Sequence, residues 1–188
     1  MNFIKTDIDG VVIVEPRVFT DSRGYFFESY NENDFIKNGI NNRFVQDNQS
    51  KSSYGVVRGL HCQLGEYAQA KLVRVLQGTV LDVAVDVRKN SPTFGKYVAV
   101  ELSDENMRQL FIPRDFLHGF SVLSPTAIFA YKVDNFYNKE SEFGIRYDDP
   151  TINIDWRIPR EKIITSDKDR VPNTIYDLLK RTNQRERQ

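Results

Sequence analysis

The chain has 188 residues, 40% apolar and 28% charged, which suits one globular domain of ordinary composition. Its 26 Lys and Arg balance its 26 Asp and Glu, arguing against bulk electrostatic capture of nucleic acid or an anionic membrane. One cysteine, Cys62, excludes an intrachain disulfide. With no basic-then-apolar start in MNFIKTDIDG and no apolar run near the roughly 20 residues of a membrane span, a cytoplasmic protein is expected.

Taken in order, the segments read mainly as short strands. VVIVEPRV (11–18) comes first, then YFFESY (25–30), VVRGLHCQ (56–63) and KLVRVL (71–76). TVLDVAVDV (79–87), KYVAVEL (96–102), RQLFIP (108–113), GFSVLS (119–124) and IFAYKVDNF (128–136) follow. Turn signals such as Gln77-Gly78, Asn90-Ser91-Pro92 and Ser124-Pro125 separate them at a spacing typical of a sandwich or barrel. TVLDVAVDV alternates most clearly. Thr79, Leu81, Val83, Val85 and Val87 share one face, and Val80, Asp82, Ala84 and Asp86 the other. Helices are few. Residues 33–39 predict a short one closed by Gly39, and NTIYDLLKR (173–181) predicts a C-terminal helix capped at Asn173 or Thr174. Ile175, Leu178 and Leu179 should turn its apolar side toward the sheet. Residues from about 182 to 188 read as a polar, frayed tail of a single 1–188 domain.

A β-fold says nothing about function, so chemistry must come from side chains. His61 and His118 are the only two histidines and the natural acid–base candidates. Both could equally be structural. His61 is followed by Cys62 and Gln63, so the closely spaced His pair of metal-dependent barrels is absent and no metal is expected. SDKDR (166–170) reads as a solvated turn unless Asp169 folds back onto His61, where it would fix the tautomer and raise the basicity of the ring. Tyr131 is a third candidate, and Tyr137 or Phe136 could stack on a flat ring. Two segments look like clamps for an anion or sugar. One is DSRGYFFESY (21–30), with Arg23 at a turn and Phe26 and Glu28 on one strand face; the other is QDNQSKS (46–52). Arg58, Lys71 and Arg74 add cations, and arginine suits phosphate.

DSRGYFFESY, FVQDNQSKS, VVRGLHCQ, the run from AKLVRVLQG to VAVELS, QLFIPRDFLHGFSVLS, YKVDNFYNKESEFGIRYDDP and ITSDKDR occur together and in order. This set, from about residue 5 to about residue 172, closely resembles the dTDP-4-dehydrorhamnose 3,5-epimerase family. The resemblance implies a cupin-like jelly roll, a homodimer, and no metal or organic cofactor. It implies that His61 is the base, Asp169 its dyad partner, and Tyr131 the acid on the opposite face of the sugar. Lys71 and His118 resemble the groups that bind the ring and its developing enolate. Arg23, Glu28, Gln46, Asn48, Arg58 and Glu142 resemble nucleotide and sugar contacts, Tyr137 resembles the residue that stacks on thymine, and the Arg23 segment would come from the partner subunit. Two departures are visible. Arg-Asp-Phe-Leu precedes His118 where Gly-Phe-Ala is common in the family, and Cys62 replaces a common Tyr.

The chemistry agrees with those roles. A 4-keto sugar carries acidified protons at C3 and C5, and inversion removes each from one face and returns one to the other. His61 can take the proton, Lys71 can stabilise the enolate, and Tyr131 can deliver. The expected activity converts dTDP-4-dehydro-6-deoxy-D-glucose to dTDP-4-dehydro-L-rhamnose, in dTDP-L-rhamnose biosynthesis. A single-centre 3- or 5-epimerase, a non-catalytic sugar-nucleotide-binding module and a metal-dependent cupin oxygenase are the alternatives. Strict alternation puts Arg58 and His61 on opposite faces, so one shared pocket requires a bulge or bend near Gly59.

Overall fold

The computed structural model describes residues 1–170 and 172–185. Among them, six strands form one antiparallel sheet in the order β1 (Asn2–Lys5), β2 (Val12–Glu15), β10 (Gln109–Ile112), β7 (Lys71–Gln77), β12 (Thr126–Val133) and β5 (Gln46–Ser53). Five more form a second sheet: β13 (Glu142–Gly144), β6 (Val57–Gln63), β11 (Phe116–Val122), β8 (Thr79–Asp86) and β9 (Tyr97–Ser103). The two face each other as the expected jelly-roll sandwich. A separate hairpin pairs β3 (Phe19–Asp21) with β4 (Gly24–Phe26).

Strand β8 shows how the layers are built. Val80 and Ala84 enter the core between the sheets, with Val73, Leu110 and Phe129. Leu81, Val83 and Val85 face the other way, into a second core with Trp156, Ile175 and Leu178. The strand is apolar on both sides because both sides are covered. A third cluster sits beneath helix α1 (Glu32–Lys37), where Phe35 packs on Val14, Leu72 and Phe111. Asn31 caps α1 by accepting from the Asn33 N–H, so the helix starts just before the expected residue 33, and Gly39 follows it at φ +83°.

Helix α2 (Ile175–Arg185) packs Ile175 and Leu178 against the five-stranded sheet. Asp177 accepts hydrogen bonds from both the N–H and the hydroxyl of Thr174, which fixes the helix start. The helix runs past the expected end at Arg181, because nothing from 182 to 185 is a Gly or Pro stop. Residues 182–185 of the expected frayed tail are therefore helical, and 186–188 lie outside the described residues.

Other boundaries differ for local reasons. YFFESY is a strand only as far as Phe26; beyond it, the Ser29 carbonyl is taken by the Gln109 side chain at 2.7 Å. Strand β11 begins at Phe116, before Gly119, so His118 lies inside a strand. Strand β5 has no apolar alternation and gave no strand signal.

Candidate active site

A cavity of about 300 Å³ lies between the sheets. Arg58, His61 and His118 line it from the five-stranded sheet, and Ser50, Lys71, Phe129 and Tyr131 from the six-stranded one. Registers explain the six-stranded wall. Tyr131 is opposite Val73, and Lys71 opposite Val133, so all four share the inward face. The stacked rings of Phe120 and Phe129, 4.2 Å apart, join this wall to the core.

The other wall depends on the irregularity expected near Gly59. His118 is opposite His61 and Phe120 is opposite Arg58, so two steps along β11 match three along β6. Gly59 has φ +119°, and the Gly59–Leu60 peptide is cis. The extra residue turns Leu60 into the second core while Arg58 and His61 both reach the cavity. On the other side of His61 stands Gly144, where an added Cβ would lie 3.0 Å from the imidazole Cδ2.

Asp169 arrives on a 3-10 turn, Asp167–Asp169. Its Oδ1 is 2.8 Å from His61 Nε2 and accepts the Gly59 N–H at 3.2 Å; its Oδ2 accepts the Ser166 hydroxyl at 2.6 Å. Burial raises its pKa, but His61, Ser166 and the Gly59 N–H together outweigh burial and hold the carboxyl at about 2. It is a carboxylate at neutral pH. SDKDR is thus split: Asp167 is solvated and Asp169 is 4% exposed.

His118 Nε2 is 2.8 Å from Oδ1 of Asp82, which is wholly buried. Burial lowers the basicity of His118; Asp82 opposes this, and Lys71 and His61 add to it. Arg58 Nε donates to Ser52 Oγ at 3.0 Å, tying β6 to β5. The Tyr137 hydroxyl donates to Glu142 Oε2 at 2.9 Å. Burial pushes the Cys62 thiol up to about 12, so it stays protonated and is no nucleophile.

The structure therefore brings His61, Asp169, Lys71, Tyr131, His118, Arg58, Tyr137 and Glu142 to one cavity. Gln46 and Asn48 sit opposite Val133 and Tyr131, on the inward face, hydrogen-bonded to each other at 2.8 Å, but outside the lining. Arg23 and Phe26 are elsewhere in this chain, on the exposed β3–β4 hairpin, with Arg23 paired to Asp21. Glu28 accepts from Asn31. Sequence reasoning missed three residues. Ser166 holds Asp169, and Asp82 holds His118. Gln63 fastens the turn that carries Tyr137, donating to the Tyr67 and Phe136 carbonyls and accepting from the Asn138 N–H. Among the described residues, no three His, Cys, Asp or Glu are grouped to hold a metal ion, and no helix is long and apolar enough to cross a membrane.

A family model described as dTDP-4-dehydrorhamnose 3,5-epimerase matches residues 5–177. The chain belongs to that family. A dTDP-4-dehydrorhamnose 3,5-epimerase of Shigella flexneri is 58% identical over 90% of this chain and 93% of its own length. The crystal structure of the Elizabethkingia anophelis dTDP-4-dehydrorhamnose 3,5-epimerase superposes with a TM-score of 0.91 at 56% identity, covering 94% of this chain and 97% of that one. A Legionella pneumophila dTDP-6-deoxy-D-glucose-3,5-epimerase, solved with dTDP-4-keto-L-rhamnose, superposes at 0.89 with 49% identity, covering 93% of each. The departures of this epimerase-family chain stay local. His118 remains on the cavity wall after Arg-Asp-Phe-Leu, and the Cys62 side chain packs in the second core.

Proposed function

We propose that the protein, as one domain, is an isomerase that inverts C3 and C5 of dTDP-4-dehydro-6-deoxy-D-glucose, giving dTDP-4-dehydro-L-rhamnose for dTDP-L-rhamnose biosynthesis. The observation that carries this reading is the His61–Asp169 contact at 2.8 Å, facing Tyr131 across a cavity that Lys71 also lines. The Asp169 carboxylate, 2.8 Å from Nε2, favours a proton on that nitrogen, and the other ring nitrogen removes the proton next to the ketone. Lys71 stabilises the enolate oxygen with its positive charge. Tyr131, on the opposing sheet, returns a proton to the opposite face. Protons alone move, so the chemistry asks for neither a metal nor an organic cofactor.

Arg58 receives the diphosphate, with Gln46, Asn48 and Glu142 as further contacts, and Tyr137 stacks on the thymine. We assign Arg23, Phe26 and Glu28 to the site of a second copy, in a homodimer. Both strands of the β3–β4 hairpin are exposed, and Phe26 is 66% exposed beside Phe19 and Tyr25, an apolar surface that a partner would cover. A cytoplasmic setting fits the free, buried Cys62.

Turnover of the 4-keto sugar nucleotide in deuterated water tests the reaction. Deuterium at both C3 and C5 of the product is expected. Label at one carbon would make the protein a single-centre epimerase, and binding without label would make it a binding module.

A further inference from the structure

Asp82 has no part in the chemistry above, yet it is a wholly buried carboxylate between Val80 and Ala84 on the inward face of β8. Burying a charge is costly unless it is well paired. Asp86, on the same face of the same strand, shows what a structural aspartate looks like here. Its oxygens take hydrogen bonds from Arg88, Ser91 and Thr93, and it anchors the loop that follows. Asp82 differs. Its Oδ1 meets His118 Nε2 at 2.8 Å, and its buried Oδ2 has no hydrogen-bond partner among the described residues. Among the described residues, its one side-chain hydrogen-bond partner is thus an imidazole that lines the cavity.

We propose that Asp82 is a positioning residue that fixes His118 as the tautomer protonated on Nε2, so that Nδ1 meets the substrate as a hydrogen-bond acceptor for a sugar hydroxyl. This deepens the proposed function and rests on it for the identity of the hydroxyl donor. We take Asp82 as ionised; a carboxylate only accepts, so the shared proton then belongs to Nε2. A neutral ring then has a lone pair, and no proton, on Nδ1. Burial keeps the ring neutral, as do the neighbouring Lys71 and His61. Such a ring cannot donate to an enolate oxygen. The enolate falls to Lys71, and His118 instead orients the sugar through a hydroxyl.

With two histidines in the chain, ring nitrogen NMR of the 15N-histidine protein without substrate reads the tautomer directly, His61→Ala assigning the signals. The expected result at neutral pH is a proton on Nε2 of His118 and none on Nδ1. A proton on Nδ1, or on both nitrogens, overturns the proposal. Asp82→Asn gives a second reading, since an amide can donate to Nε2 and release the opposite tautomer. It should lower kcat/KM on the order of 10-fold, the loss of about one hydrogen bond to the sugar. Wild-type kcat/KM in that variant also overturns the proposal. The tautomer is read without turnover, so a protein that fails to exchange deuterium contradicts the proposed reaction and leaves the ring assignment to stand or fall alone.

Discussion

Asp169 accepts at both oxygens, from Gly59 and Ser166 and beside His61, only while it is ionised. Asp169 is held at about 2, below the ordinary 3.8, so its contribution to stability is complete above about pH 4 and is lost as the pH falls toward 2. A shift of that size corresponds to about 2 kcal/mol. Chemical denaturation of the wild type and Asp169→Asn across that range should show a wild-type advantage that shrinks with acid. An advantage independent of pH would mean that the carboxylate's charge is not what stabilises the turn. At this scale the sequence was partly legible. His61 stood out because histidine is scarce, but nothing in SDKDR separates the solvated Asp167 from the buried Asp169; the residues offered an Asp169–His61 pair only beside a solvated turn, and the family resemblance chose between them. Asp82 carried one available signal, a charge between apolar neighbours on a strand face. Asp86 carries the same signal with a structural outcome, so pattern alone could not distinguish them.

The bulge at Gly59 is the element on which the site turns. It lets β6 feed the second core with Leu60 and the cavity with Arg58 and His61. An added Cβ at Gly59 would lie 2.6 Å from Gly119 Cα and 2.7 Å from the His118 carbonyl oxygen, at a φ that L side chains avoid. Gly59→Ala should therefore lower stability by roughly 1–3 kcal/mol and remove most epimerase activity. Urea titration and product assay check the two effects, and a variant with wild-type stability would show that the bulge tolerates a side chain. The need for this irregularity could be read before the fold was known, because two cavity residues three apart violate strand alternation. Strand β8 was legible because its alternation marks two covered faces. Strand β5 was not, because its inward Gln46, Asn48, Ser50 and Ser52 face the polar end of the sandwich while Asp47, Gln49 and Lys51 are exposed. β3 and β13, at three residues each, are too short to carry a period.

At the scale of the whole molecule, we propose that the site is built from two chains. The exposed hairpin carries Arg23 and Phe26 away from the cavity of its own chain, and a two-fold dimer would exchange such hairpins symmetrically. Mixing inactive Arg23→Ala and His61→Ala proteins after subunit exchange should then restore roughly a quarter of wild-type activity, because half of the dimers are mixed and each holds one intact site. No recovery from a demonstrably exchanged mixture would place Arg23 outside the partner's site. The central claim, however, is that His61 removes the carbon-bound proton, and deuterium exchange by His61→Ala on the 4-keto sugar nucleotide tests it most directly. The expected result is retained nucleotide binding with no label entering at C3 or C5. Label appearing at either carbon at the wild-type rate would contradict it.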